Sequence, residues 1–254
     1  MYILESKDIC KIYGGEKGYS STEALSNVNI QICDGEFVGI MGPSGSGKTT
    51  LLNILSGVDK ANSGYVKISD KKISDMKRDE LAVFRRRKLG FIFQNFNLLD
   101  SLTVKENIIL PMIIDKCIGD NVEQKAEEIM KLLNVDSLAN KYPYNISGGQ
   151  QQRVAIARAI INSPTMIFGD EPTGNLDSKS SKIIMECFQK MNKELKNTIL
   201  LVTHDVYAAS YCDRIIFLKD GKVIYEAIKK GSRREFFNEI MNYVAVLGGD
   251  SNDF

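Results

Sequence analysis

Along this chain, short apolar runs of strand length alternate with stretches of helical periodicity. Glu36–Met41 (EFVGIM) is an apolar run ending in a glycine-rich turn, and Thr49–Leu55 (TTLLNIL) reads as the helix that follows it. Tyr65–Ile68 alternates as a half-buried strand, and Phe91–Phe93 is another short strand. From about residue 95 to 161 the pattern turns helical. Thr103 and Glu106 have the spacing of a capping box, in which each side chain satisfies the other's orphan amide. In DNVEQKAEEIMKLLNV, the residues Val122, Ala126, Ile129, Met130 and Leu133 share one helical face. Pro143 and the pair Gly148-Gly149 interrupt the chain before a further helix, QQQRVAIARAII. Strands return at Thr165–Phe168 and Thr198–Val202, separated by an amphipathic helix from about Ser178 to Leu195. Arg214–Leu218 and Val223–Tyr225 flank Lys-Asp-Gly-Lys, an Asp-Gly hairpin signal. In the tail, Phe236, Ile240, Tyr243, Val244 and Leu247 fall on one helical face. Strands interleaved with helices predict an α/β fold with a largely parallel central sheet, a helical insertion and a short C-terminal helix.

Composition narrows the function classes. The 254 residues are 43% hydrophobic and 26% charged, an ordinary globular balance that excludes a disordered or collagen-like chain. Thirty-three Lys and Arg against thirty-two Asp and Glu leave a net charge of +1, so no global field draws the chain to nucleic acid. The run Arg85-Arg86-Arg87-Lys88 has no aromatic platform beside it and reads as a solvated helix face. Five cysteines (Cys10, Cys33, Cys117, Cys187, Cys212) form no CxxC pair, which suits reduced thiols rather than a zinc or redox motif. The N-terminus lacks the pattern of a signal peptide, and no window has the ~18 apolar residues of a membrane span. A membrane role is therefore expected through a partner.

The sharpest chemical signal is Gly42-Pro43-Ser44-Gly45-Ser46-Gly47-Lys48-Thr49, a GxxxxGK[ST] loop between a strand and a helix. Glycines let successive backbone N–H groups turn toward phosphate oxygens at the positive end of the next helix. Lys48 would span the β- and γ-phosphates of a nucleotide, and the Thr49 hydroxyl would ligate Mg²⁺. Such a site needs an acidic strand end, and Met166–Glu171 supplies one. Asp170 is placed to hold Mg²⁺, directly or through water, and Glu171 to polarise the water attacking the γ-phosphate.

Ile146-Ser147-Gly148-Gly149-Gln150, followed by QQRVAIARA, resembles the LSGGQ signature of ABC transporter ATP-binding subunits, with Ile146 in place of leucine. The resemblance covers residues 2–228. It implies a P-loop NTPase (RecA-like) core with a mostly parallel sheet, an antiparallel β subdomain and an α-helical signature subdomain. The ATPase domain would span 1–230, with the helical part at about 95–161 inserted, and residues 231–254 would form a helical tail. ATP and Mg²⁺ are the implied cofactors, with Thr50 joining the phosphate loop in binding nucleotide. Tyr13, 29 residues before Gly42, resembles the adenine-stacking aromatic, with Tyr19 as a rival. Gln94 resembles the glutamine that reaches Mg²⁺ and hinges the helical subdomain. Asp177, in Asn175-Leu176-Asp177, occupies the segment that contacts the opposite subunit; it is also a natural helix N-cap, and the roles are compatible. The family more often has Ala-Leu-Asp there, so Asn175 is a departure. His204 is the chain's only histidine and falls 33 residues after Glu171, where the family places its γ-phosphate switch.

The resemblance further implies a head-to-tail pair of copies, with Ser147, Gly148, Gly149 and Gln150 of one closing on ATP held by the other. It implies an integral-membrane permease as partner, reached at the cytoplasmic face of the membrane, and no nucleic acid. The segment Phe96–Lys105, with Leu98, Leu99, Leu102 and Val104, is the expected coupling element. Gly169–Asp177, the segment FIFQNFNLLDSLTVKENI and the tail are similar to the lipoprotein-release, macrolide-export and antimicrobial-peptide-resistance branch, most of all the bacitracin- and lantibiotic-resistance type. The rival reading is an ATP-dependent regulator or scaffold that signals to a membrane protein without moving a substrate.

Overall fold

Residues 1–14, 21–116 and 120–248 are described by a computed structural model. In chain order it begins with strands β1 (Tyr2–Tyr13), β2 (Thr22–Cys33) and β3 (Phe37–Met41), helix α1 (Lys48–Leu55), and strands β4 (Ser63–Ile68) and β5 (Lys71–Lys72). Helix α2 (Arg78–Lys88), strand β6 (Leu89–Phe93) and helices α3 (Val104–Ile114), α4 (Asp120–Leu132) and α5 (Gly148–Ile160) follow. Then come β7 (Met166–Asp170), α6 (Ser178–Leu195), β8 (Thr198–Val202), α7 (Val206–Ala209), the strands β9 (Arg214–Lys219) and β10 (Lys222–Ile228), and α8 (Arg233–Gly248). The chain divides into two compact units, residues 1–76 with 200–254, and residues 77–199.

In the first unit an antiparallel sheet of order β2-β1-β4-β5 stands apart from the parallel strands. The pattern of apolar positions does not mark β1 and β2 as individual strands. Their alternation is broken by register shifts, as between Ser6 and Ile9, where Asp8 takes a left-handed backbone with φ 52°. The buried strand β3 runs parallel to β9, Val38 opposite Arg214 and Met41 opposite Phe217. β9 turns into β10 through Asp220 and Gly221, both at positive φ, the backbone an Asp-Gly hairpin turn requires.

The tail folds as the expected helix, with Phe236 and Ile240 buried. Tyr243 stacks on Tyr225 with ring centroids 4.0 Å apart. Arg233 lies over the rings of Tyr207 and Tyr211, at 5.2 and 4.4 Å, and ties α8 to α7. Val244 departs from the expected face and is 37% exposed. At ~100° per residue it sits about 80° round the helix from Phe236, on the rim of the stripe. Leu247 lies outside the residues whose side chains are described.

In the second unit β6 and β7 pair in parallel, with Leu89 opposite Met166 and Phe93 opposite Asp170. α5 packs closely on β6: a Cβ at Gly90 would meet the Ala159 carbonyl at 2.6 Å. Thr103 and Glu106 form the expected capping box at the start of α3. On α4, Val122, Ala126 and Met130 are buried and Ile129 half-buried, and Leu133, just past its end, is buried. The arginine run lies on α2, where Arg86 and Arg87 both pair with Asp115, just past the end of α3.

Candidate active site

The phosphate loop belongs to the first unit. The fully buried strand β3 delivers the chain to Gly42, and α1 starts at Lys48. Gly45 and Gly47 take φ of 79° and 97°, which side-chain-bearing residues rarely adopt. Gly42 is required by proximity instead, since a Cβ there would lie 2.0 Å from the Leu218 carbonyl oxygen. The hairpin turn braces the loop from outside, where the Gly221 N–H donates to the Ser46 carbonyl at 3.1 Å.

This loop fits a nucleotide's phosphates. Gly47 gives α1 no side-chain cap and its first turn carries no acidic residue, so the positive end of the helix remains open to an anion. The Ser46 hydroxyl is buried with no hydrogen-bond partner among the described residues, a polar group in need of an acceptor or donor. The Lys48 ammonium curls over the loop, donating to the carbonyls of Gly42 and Pro43 at 2.9 and 2.8 Å. Pro43, Ser44 and Thr49 are exposed and Thr50 half-buried, so the Thr49 hydroxyl is accessible to a cation.

Tyr13 and His204 also lie in the first unit. Tyr13 ends β1 and is 44% exposed; its hydroxyl donates to Asp59 Oδ2 at 2.8 Å, and the Lys11 ammonium sits 4.8 Å from its ring centroid. Tyr19 lies outside the described residues. His204 is exposed two residues past the buried strand β8. Asp205 beside it caps α7 by accepting from the Tyr207 N–H at 2.8 Å.

The second unit holds Gln94, Asp170, Glu171, Asp177 and the signature. Asp170 closes the buried strand β7, and Glu171 turns the chain with a left-handed φ of 47°. The Gly174 N–H closes that turn onto the Glu171 carbonyl at 2.9 Å. Asp177 caps α6, accepting from the Ser180 N–H and hydroxyl at 2.9 and 2.7 Å; the Ser180 bonds hold its carboxyl below the usual value. Ser147 caps α5 in a reciprocal box with Gln150, and Gly148 and Gly149 form its first turn. A Cβ at Gly149 would crowd Ser180 Oγ at 2.9 Å, so the helix start packs closely on α6.

Three further residues organise this unit, and motif spacing alone did not expose them. Gln152, fully buried, donates from Nε2 to the carbonyls of Pro172 at 2.8 Å and Phe93 at 3.3 Å. Arg158 donates to the carbonyls of Asn97 and Phe96 at 2.6 and 2.9 Å, and burial lowers its pKa. Those carbonyls belong to two consecutive left-handed residues, φ 59° and 50°, so the guanidinium stabilises a strained turn. Asn175 bonds to Gln94 and Asn95. For Gln152 and Arg158 the signal available was polar residues set within the apolar pattern of QQQRVAIARA; for Asn175 it was the departure from Ala-Leu-Asp.

Known proteins place this arrangement. Residues 25–174 match the ABC transporter family. The bacitracin export ATP-binding protein BceA of Halalkalibacterium halodurans is 50% identical over 255 residues, covering all of this chain and all of that protein. The uncharacterized ABC transporter ATP-binding protein YvcR of Bacillus subtilis is 48% identical, covering 100% of this chain and 98% of its own. The dimeric post-hydrolysis structure of the cassette MJ0796 from Methanocaldococcus jannaschii, bound to ADP and Pi, aligns with a TM-score of 0.81. It is 45% identical and covers 90% of this chain and 99% of that one. The α/β fold expected from the sequence is the fold of these cassettes.

Proposed function

The chain belongs to the ABC transporter family as an ATP-binding ATPase subunit that works with ATP and Mg²⁺, and on that premise we propose that it energises a membrane permease carried on a separate chain. The substrate class is a bacitracin- or lantibiotic-type antimicrobial peptide, and the outcome is resistance by export or release. One observation carries this reading: the match to the bacitracin export subunit runs through the whole chain, tail included, while the archaeal cassettes cover nine-tenths of it. The chain works from the cytoplasmic face, held there by the permease; among the described residues no helix is long and apolar enough to cross a membrane.

In this reading the phosphate loop from Gly42 to Thr50 binds the triphosphate, Lys48 leaves its two carbonyls for the β- and γ-oxygens, and Tyr13 stacks on the base. Thr49, Gln94 and Asp170 would hold Mg²⁺, which would supply positive charge to offset that of the transferring phosphoryl group. Glu171 orients the attacking water and accepts its proton, and His204 contacts the γ-phosphate. Two copies pair head to tail, so that Ser147, Gly148 and Gly149 of one close over the phosphate held by Lys48 of the other, with Gln150 capping that helix start and Asp177 at the seam. ATP then joins the copies and hydrolysis parts them.

The coupling surface is a groove of about 490 Å³ in the second unit, lined by residues that include Phe91, Leu110, Pro111, Arg85, Arg158 and Asn97. This mixed apolar and cationic lining suits a short amphipathic permease segment bearing an acidic residue. Asn97 belongs to the Arg158-held turn just after Gln94, so the groove adjoins the expected coupling segment Phe96–Lys105. In that segment Leu99 is 47% exposed and Leu98 half-buried.

The test is Glu171→Gln, which keeps size and hydrogen bonding but removes the charge. ATP turnover should fall ~10²-fold or more, the usual scale for a general base, while nucleotide binding persists. Light scattering of this variant should show monomer without Mg-ATP and dimer with it. Near-normal turnover would displace Glu171 from its role, and a mass indifferent to bound ATP would refute the paired site. Cells making the wild-type chain with its permease should survive bacitracin that kills cells making Glu171→Gln; equal sensitivity would favour a signalling subunit.

A further inference from the structure

Beyond these roles, the turn after β7 fixes the orientation of the Gln94 amide. Asn175 makes three side-chain hydrogen bonds, all to residues just past β6. Its Nδ2 donates to the Gln94 backbone carbonyl at 3.3 Å and to Asn95 Oδ1 at 2.8 Å, and its Oδ1 accepts from Gln94 Nε2 at 3.2 Å. A backbone carbonyl can only accept, which fixes the nitrogen end of Asn175. The other end is then an oxygen that can only accept, so the atom of Gln94 facing it must be Nε2. Gly174 seals the arrangement: a Cβ there would sit 2.7 Å from Gln94 Nε2 and 3.1 Å from Cδ. Gln94 Oε1 takes part in none of these bonds. Magnesium binds oxygen and not an amide nitrogen, so the orientation matters chemically.

The geometry points to Asn175 as a positioning residue: it pins the nitrogen of Gln94 so that Oε1 is the end offered to Mg²⁺. This deepens the reading of Gln94 as a metal ligand and rests on it. Without Asn175 the amide can turn over, and the nitrogen end competes for the same place. Glutamate at position 94 has oxygen at both ends and needs no such orientation.

The experiment measures binding in the Glu171→Gln chain, where turnover does not interfere. Binding of a fluorescent ATP analogue is followed while Mg²⁺ is raised. Asn175→Ala should raise the Mg²⁺ midpoint roughly 2- to 10-fold, the worth of one exposed neutral hydrogen bond, with Mg²⁺-free nucleotide affinity unchanged. Gln94→Ala should raise it at least as far. In the Gln94→Glu background, adding Asn175→Ala should leave the midpoint within about twofold, inside the scatter of independent sites. If Gln94→Ala shifts the midpoint and Asn175→Ala does not, the positioning role is wrong. If Asn175→Ala costs the same with Gln or Glu at position 94, its effect is only structural and the proposal falls. If Gln94→Ala itself leaves the midpoint unchanged, the ligand reading fails first and takes the proposal with it.

Discussion

Replacing Gln152 by methionine removes a polar clamp while keeping length and volume. The amide is fully buried, its Nε2 bonded to the Pro172 carbonyl at 2.8 Å and the Phe93 carbonyl at 3.3 Å, its Oε1 without a partner. Stripping the donor from the Pro172 carbonyl costs about 1–3 kcal/mol, and loss of the longer, part-buried bond to Phe93 adds up to about 1 kcal/mol. Removing the unpartnered Oε1 returns about 1–2 kcal/mol of desolvation cost. The net loss centres on about 1 kcal/mol, a fall in Tm of roughly 2–4 °C at ~2–4 °C per kcal/mol for a chain of this size. Thermal melting of nucleotide-free protein measures it, and hydrogen exchange should accelerate at residues 94–97 and 172–175. A Tm unchanged or raised, with exchange unaltered in both turns, would show that the unpartnered oxygen outweighs both bonds and that Gln152 does not hold the turns.

Two other perturbations test the first unit. Gly42→Ala sets a Cβ 2.0 Å from the Leu218 carbonyl, backbone against backbone, and must displace the loop. Overpacking of about 1–3 kcal/mol, borne by the binding geometry, should weaken ATP binding about tenfold or more in a calorimetric titration, and wild-type affinity would remove the steric argument. Burial alone would raise the pKa of Asp59, but hydrogen bonds from Lys11, Tyr13 and the Lys60 N–H, with the Lys11 charge, outweigh it and hold the carboxyl below its usual value. A folded pKa depressed in this way gives stability that is complete above the unfolded value of ~3.9 and is lost as pH falls through the folded one. The urea midpoint of wild type should therefore exceed that of Asp59→Asn near neutrality, and the gap should close on acidification below about pH 4; a gap constant with pH would contradict the sign.

The elements most legible in the sequence were those whose signal is local. Within Gly42–Thr49, Gly45 and Gly47 are needed for their local backbone conformation, whereas Gly42 answers to the distant Leu218 carbonyl. Ser178–Leu195 and Thr198–Val202 have unbroken periodicity, and the structure places α6 and β8 on those bounds. The boxes at Thr103 and Ser147 likewise follow from residues three apart. β1 was opaque because its bulge at Asp8 shifts the inward phase, and because Glu5, Lys7 and Lys11 supply charge where a strand reader seeks alternation. The bonding of Gln152, Arg158 and Asn175 was opaque for a different reason. Each acts on backbone carbonyls or side-chain amides 20 to 81 residues away in sequence, a relation that periodicity does not encode.

Those long-range bonds explain why the signature glycines stand at the head of this particular helix. Ser147 caps α5; Gln152, in its second turn, holds the turns after β6 and β7, and Arg158 holds the former again, six residues and ~9 Å further along the axis. A helix anchored at both places is stiff against bending between them, because tilting it would break the Pro172 bond or the Asn97 bond. On the proposed reading, a phosphate engaging Gly148 and Gly149 would therefore act on Phe93–Asn97 and on Pro172 together. Asn175 closes the same circuit from the far side by joining the turn after β7 to Gln94. Gln94 and the turn bearing Glu171 are thus tied together through α5 and Asn175 within the second unit, so on the proposed reading whatever engages the signature would bear on both.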